Sequence, residues 1–328
     1  MSVRWGLLST AAINDRVLPE LAGADGLEVV AVASRDGRRA ERYARERDIP
    51  RAHAGYDALL ADPEVDAVYV NVPNALHTEW TLRALEAGKH VLCEKPMTPR
   101  ARDVERIFAA ARDRDRLVME AFMYRHHPQT LRLAELVAGG AIGRLGAIRA
   151  SFRFAATDPA DVRLSEELEG GSLMDVGSYC VNTARLLAGE PDRVFAEQVV
   201  GPSGVDLRMA ATLHFPGDVL AQFDSALSLP FRAEVEVAGD DGSLYVRDPW
   251  LCREPGIELQ RESGVERIEV APAPSYRLEF EHFSAALRRA VTPRLGFEDA
   301  LGQARTIEAL LRAAREQQPV GLGAQVPA

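Results

Sequence analysis

Asp175 and Tyr179 stand four residues apart in the run Gly170-Gly171-Ser172-Leu173-Met174-Asp175-Val176-Gly177-Ser178-Tyr179. On a helix that spacing puts both on one face, with Asn182 or Thr183 one turn further on. Gly170-Gly171-Ser172 reads as the loop and N-cap that begin the helix, and Val176, Cys180, Ala184 and Leu187 supply its buried stripe. A carboxylate and a phenol stacked on one face of an otherwise apolar helix suggest a cleft wall. They equally describe a half-buried helix whose Tyr and Asp satisfy each other. A second candidate is Gly88-Lys89-His90-Val91-Leu92-Cys93-Glu94-Lys95-Pro96. Strand ends in open α/β sheets face the ligand crevice, so Glu94 and Lys95 should point into it. The following proline holds Lys95 extended, and an ammonium there can stabilise negative charge on a substrate oxygen. A surface lysine is the plain alternative.

The elements that must carry these residues follow from periodicity. Short β-prone runs at 3–8, 28–34, 67–72, 90–93 and 117–121 alternate with helical spacing at 38–47, 76–87 and 101–114. Strands buried on both faces and alternating with helices predict βαβ units and a parallel, doubly wound sheet, assigned to residues 1–121. Beyond residue 122 apolar residues alternate at period two, as in Ile148, Ala150, Phe152 and Phe154, and again at 209–215, 219–227, 233–238 and 267–270. Residues 122–328 therefore read as a second α/β domain with an open, largely antiparallel sheet whose uncovered side suits a second subunit. Two helices, near 276–291 and 298–316, close the chain, and 321–328 reads as a loose tail.

The turn after the first strand, Gly6-Leu7-Leu8-Ser9-Thr10-Ala11-Ala12-Ile13-Asn14, stands where a dinucleotide site wants glycines at a helix start. Ser9, Thr10, Ala11 and Ile13 are the candidate phosphate residues: the small side chains keep a close approach possible and the hydroxyls add donors. An ordinary βα turn is the alternative. The second strand ends in Ser34 and Arg35 rather than an acidic residue, which suits a ribose 2′-phosphate and hence NADP over NAD, if a nucleotide binds.

The 328 residues suggest two domains, and 47% hydrophobic with 27% charged residues is a globular balance. A net charge of −10 argues against nucleic acid and anionic membrane as partners. The start, Met1-Ser2-Val3-Arg4-Trp5-Gly6-Leu7-Leu8, lacks a signal-peptide pattern, and no apolar run is long enough for a membrane helix. Cys93, Cys180 and Cys252 are odd in number and widely spaced, so they read as reduced core residues of a cytoplasmic protein. Adjacent His126 and His127 invite a metal, but no carboxylate sits at ligand spacing and none is expected.

The runs quoted above are joined by Val3-Arg4-Trp5-Gly6, Asn71-Val72-Pro73-Asn74-Ala75-Leu76-His77 and Met123-Tyr124-Arg125-His126-His127-Pro128, and the likeness they carry covers nearly the whole chain. In type and order they resemble the Gfo/Idh/MocA oxidoreductase family. The resemblance implies an N-terminal Rossmann domain, a C-terminal α/β domain with an open sheet, and a homodimer or homotetramer formed through that sheet. It implies that Asp175 binds substrate, that position 179 is catalytic, and that Asn71, Pro73, Asn74 and His77 lie near the nicotinamide side of the cofactor, as do Glu94 and Lys95. Many members carry histidine where this chain has Tyr179; the tyrosine resembles the branch of NADP-dependent D-xylose dehydrogenases and dihydrodiol dehydrogenases. A free phenol has a pKa near 10, so Lys95 is assigned as the charge that favours its ionised form. Arg125, Arg163 and Asn182 are secondary candidates for holding substrate. The expected reaction is hydride transfer between nicotinamide and a carbinol or carbonyl carbon of a sugar or cyclic polyol, with a D-xylose-like aldose foremost. Ketosugar reduction (1,5-anhydrofructose or a nucleotide-linked 3-ketohexose), dihydrodiol oxidation, glycosidase chemistry and a non-catalytic dinucleotide sensor are the alternatives.

Overall fold

The computed structural model describes residues 2–323, and the chain divides into two compact units. The first takes the chain to Thr98, then Arg102–Met123 and Pro274–Leu301; the second holds Pro99–Ala101, Tyr124–Ala273 and the chain from Gly302 onward. In the first unit six strands, β1 (Val3–Leu7), β2 (Leu27–Ser34), β3 (Arg51–Ala54), β4 (Ala67–Val70), β5 (His90–Glu94) and β6 (Val118–Ala121), pair in the order β3-β2-β1-β4-β5-β6. Every pairing is parallel. Helices α1 (Asn14–Leu21), α2 (Gly37–Glu46), α3 (Tyr56–Leu60), α4 (His77–Glu86) and α5 (Ala101–Asp113) make the crossovers. β4 is buried at all four positions, which is why it reads as an unbroken apolar run. A Cβ on Gly6 would stand 2.9 Å from Leu59 Cδ2, so a side chain there would make Leu59 of α3 shift. The strand order reverses between β1 and β4, where open sheets of this kind bind ligands.

The second unit begins with α6 (Pro128–Ala138) and β7 (Leu145–Ala155), followed by α7 (Ser178–Ala188). Seven further strands follow: β8 (Arg193–Val200), β9 (Asp206–Phe215), β10 (Val219–Ala226), β11 (Ser228–Gly239), β12 (Ser243–Val246), β13 (Gly256–Arg261) and β14 (Gly264–Glu269). After α8 (Ser275–Leu287) and α9 (Phe297–Glu316) the short β15 (Val320–Gly321) completes a nine-stranded sheet, β14-β13-β12-β11-β7-β10-β9-β8-β15. Its pairings are antiparallel except β10 with β7. The fold is therefore α/β, a Rossmann sheet plus a mixed, mostly antiparallel sheet. Gly321 pairs with Arg193, so the segment expected as a tail starts as a strand; 324–328 lie outside the described residues.

The helix α8 departs from a simple division at residue 121. It belongs to the first unit because Trp5 and Tyr69 project from β1 and β4 as large aromatics that need cover. Phe280 lies 4.5 Å from the Trp5 ring and 5.3 Å from Tyr69, Phe283 lies 5.0 Å from Trp5, and the Trp5 indole N–H donates to Ser284 Oγ at 3.4 Å. Glu279, on the same helix, is fully buried, and neither carboxylate oxygen has a hydrogen-bond partner among the described residues. Burial, then the charges of Glu94 and Glu20, push its carboxyl well above the usual glutamate range. No helix among the described residues is long and apolar enough to cross a membrane, and Cys93, Cys180 and Cys252 are buried.

Candidate functional site

The tips of β1 and β4 are tied by a buried polar lock. Asn71 Oδ1 accepts the Ser9 N–H at 2.9 Å, Asn71 Nδ2 donates to Asn14 Oδ1 at 2.6 Å, and Asn14 Nδ2 donates to the Ser9 carbonyl at 2.9 Å. The Ser9 hydroxyl donates to the Asn71 carbonyl at 2.8 Å and accepts the Ala11 N–H at 3.2 Å. In this arrangement the Ser9 hydroxyl proton goes to Asn71, and both residues shape the loop. What the turn offers an anion is its small profile at Ala11 and the start of α1, where Ile13 makes no side-chain cap. His77 is likewise spent internally. It is 1% exposed, with ring nitrogens 2.9 Å from the Pro96 carbonyl oxygen and 2.8 Å from that of Val72. The imidazole thus clasps the loop holding Pro73 and Asn74 to the Glu94-Lys95-Pro96 loop.

At the end of β2, Asp36 accepts from the N–H groups of Arg38 at 2.9 Å and Arg39 at 3.3 Å, capping α2. The only carboxylate of the β2 turn is therefore turned to its own helix. Ser34 is buried and Arg35 exposed, and Arg39 Nη2 donates to the Thr10 carbonyl at 3.3 Å. Arg39 thus stands between the β2 turn and the phosphate turn, a neighbour that the sequence reading missed; its place one helical turn after Arg35 was the available signal. Two guanidiniums and a hydroxyl thus stand at the β2 tip, with the Asp36 carboxylate turned to the start of α2.

At the β5 tip, Glu94 accepts a short hydrogen bond from the Tyr69 hydroxyl, and its other oxygen accepts the Lys95 N–H at 3.1 Å. Burial, then the Glu94 charge, push the Tyr69 phenol well above its usual range, so it stays a donor. Glu94 therefore fixes the backbone from which Lys95 projects.

In the second unit the sequence motif opens not as α-helix but as a widened π turn, Leu173–Gly177, which runs into α7 at Ser178. Such turns are rare and concentrate at functional sites. Asp175 sits on the π turn and Tyr179 in the first turn of α7. Asp175 is engaged by Arg163 at 2.9 Å, which also bonds Asp161 at 3.1 Å and lies over the Phe154 ring at 5.7 Å. Asp175 first, and Asp161 after it, raise the Arg163 guanidinium above its already high value, so the loop carrying Arg163 presents a permanent cation beside the candidate substrate carboxylate. Tyr179 is 7% exposed in a box of aromatic rings, with Phe152 at 5.5 Å, Tyr124 at 5.8 Å and Trp250 at 6.2 Å. Behind it, Trp250 Nε1 donates to Thr183 Oγ1 at 2.9 Å and Thr183 Oγ1 donates to the Tyr179 carbonyl at 2.9 Å.

Arg125 and Asn182, the secondary candidates for holding substrate, bond to each other. Asn182 has no exposed surface: its Oδ1 accepts from the Tyr124 hydroxyl at 2.6 Å and from Arg125 Nη1 at 3.0 Å, and its Nδ2 donates to Gln303 at 3.3 Å. Both residues belong to a polar network inside the unit, because a buried amide must find partners and these are the ones the fold supplies. Among the described residues no group of three or more His, Cys, Asp or Glu side chains is arranged to hold a metal ion.

Comparisons with known proteins agree with this architecture. Residues 3–122 match the model of the oxidoreductase family with an NAD-binding Rossmann fold (Gfo/Idh/MocA), and 130–245 match the Gfo/Idh/MocA C-terminal domain. The chain is 39% identical over 317 residues to D-xylose 1-dehydrogenase (NADP(+)) 2 of Haloferax volcanii, covering 94% of this chain and 97% of that one. It is 33% identical over 294 residues to trans-1,2-dihydrobenzene-1,2-diol dehydrogenase of Bos taurus, covering 85% and 84%. A crystal structure of a 3-ketoreductase from Actinomadura kijaniata in complex with NADP and TDP-benzene superposes with a TM-score of 0.91 at 33% identity, over 95% of this chain and 98% of that one. With both domains matched in order and relatives aligned across almost the full length, the chain belongs to the Gfo/Idh/MocA family of oxidoreductases.

Proposed function

We propose that the protein is an NADP-dependent dehydrogenase or reductase acting on a CH–OH group of a sugar or cyclic polyol, with a D-xylose-like aldose as the leading substrate. The observation that carries this reading is the placement of Asp175 on a widened turn and of Tyr179 just after it on α7, where the phenol lies among aromatic rings. The xylose dehydrogenase and the NADP-bound 3-ketoreductase support it from outside. In this reading the Tyr179 oxygen exchanges a proton with the substrate oxygen, Asp175 orients neighbouring hydroxyls, and Lys95 is the ammonium that favours the ionised phenol. The nicotinamide, when bound, supplies the hydride acceptor or donor. Ala11 and the start of α1 take the pyrophosphate, Ser34, Arg35 and Arg39 the ribose 2′-phosphate, and Pro73, Asn74 and Glu94 border the nicotinamide side. Arg163, paired with Asp175, would also suit a substrate bearing a phosphate, which gives weight to nucleotide-linked ketosugar reduction as the second reading. Self-association through the nine-stranded sheet is part of the proposal, supported by Leu220 and Phe231, which are 45% and 54% exposed on its strands.

The test is Tyr179→Phe assayed against aldoses, polyols, dihydrodiols and ketosugars with NADPH and NADP. Turnover should fall about 10²–10⁴-fold, the usual contribution of a positioned acid/base, with NADPH affinity nearly unchanged. Unchanged turnover removes Tyr179 from the chemistry, and NADPH binding by the native protein without turnover of any compound favours a sensor.

A further inference from the structure

A π turn does not hold itself. Its hydrogen bonds are poorly aligned, and the N–H groups of its first residues have no partners within the helix. Ser172 occupies the N-cap position of this one yet makes no cap bond with its side chain. The acceptor comes instead from β9. Asp206 Oδ2 takes the Leu173 N–H at 2.8 Å and the Ser172 hydroxyl at 2.7 Å, and Ser172 Oγ stands 2.9 Å from Ser225 Oγ on β10. Asp206 is 6% exposed, Ser225 1% and Ser172 not at all, so the cluster is sealed from water. The other Asp206 oxygen lies against Gly171, which has φ +110°, and a Cβ on Gly171 would overlap that oxygen. The Gly171 carbonyl in turn accepts the Asp175 N–H at 3.1 Å. A carboxylate at the head of the turn also meets the positive end of the helix dipole.

We propose that Asp206 is a positioning residue, a cap supplied by a β-strand that fixes the widened turn and thereby the placement of Asp175 and Tyr179. Its catalytic meaning rests on the function proposed above for those two residues; the structural part stands without it. Burial works against the charge on Asp206 and the bonds from Ser172 and Leu173 favour it, so the carboxylate and its donors form one unit that loses more than a single bond when a member is removed.

The experiment uses the full-length protein and Asp206→Asn, with Ser172→Ala as the milder variant if the first does not fold. Amide hydrogen exchange over residues 171–180 should accelerate about ten- to hundredfold in Asp206→Asn, as expected for losing a charge-assisted cap, with other segments unchanged. The NADPH dissociation constant from fluorescence titration should stay within about twofold. With a turned-over substrate, kcat should fall by more than about tenfold and its pH profile should shift upward as the phenol loses its placement, which a mere loss of active protein would not produce. Wild-type exchange in 171–180 of folded Asp206→Asn, or of Ser172→Ala should only that one fold, overturns the cap. Accelerated exchange with unchanged kcat and pH profile overturns the catalytic consequence. A native enzyme that binds NADPH but turns over no compound refutes the function proposed above, while the exchange result still decides whether Asp206 holds the turn.

Discussion

Glu279 offers a direct way to weigh a buried charge. Its carboxyl lies fully inside the first unit, on α8, with no hydrogen-bond partner on either oxygen among the described residues. It faces the charges of Glu94 at the β5 tip and Glu20 on α1, and the phenols of Tyr69 on β4 and Tyr276 on its own helix. An acid whose folded pKa is raised costs nothing below the ordinary glutamate range, because the folded and unfolded chains both hold the proton. As pH rises past that range the unfolded chain releases its proton while the folded chain keeps it, so stability is lost until the folded pKa is reached. One proton corresponds to about 1.4 kcal/mol per pH unit. For a unit of this size that is about 3–6 °C in melting temperature per pH unit. Glu279→Gln keeps the shape and cannot ionise. In melts recorded from pH 5 to pH 8, the difference in Tm between variant and native protein should therefore grow with pH above the ordinary glutamate range, by up to that amount per pH unit, until the folded carboxyl ionises. A difference that stays flat across the range would refute the assignment of a protonated, unpartnered carboxyl at this position.

Two further outcomes are expected. Ser34→Asp combined with Arg35→Ala should shift the NADP/NAD ratio of kcat/KM toward NAD by about ten- to hundredfold, the size of losing charged hydrogen bonds to a phosphate; an unmoved ratio defeats the NADP reading. Phe280→Ala should cost about 3–5 kcal/mol, since the ring fills the space over Trp5 and Tyr69, and calorimetry should register a loss of roughly 10 °C.

Much of this molecule was legible in its residues, and the gaps have physical causes. The parallel strands could be read because burial on both faces leaves continuous apolar runs such as Ala67–Val70. β3 could not, because it lies at the sheet edge and its Arg51 and His53 are as polar as a loop. The Asp175–Tyr179 spacing pointed to a helix, but not to its opening as a π turn, since the acceptor that permits this sits on β9, 33 positions away. The hydroxyl of Ser9 was read for its chemistry, and its proton goes to a carbonyl 62 positions distant. Asn182 and Arg125, candidates for holding substrate by their polarity, likewise bond to each other. Polarity on a helix announces that partners are needed, not whether a ligand or the protein itself supplies them.

The return of α8 has a consequence for how the polypeptide comes into being. When a ribosome has released the first 123 residues, every strand of the dinucleotide-binding sheet exists, yet Trp5 and Tyr69 still lack Phe280 and Phe283. That face must wait, apolar and wet, for some 150 more residues to be synthesised. The same dependence means that a fragment trimmed to the N-terminal family match would carry an open hydrophobic flank, so the unit that binds the nucleotide is contiguous in space but not in the gene.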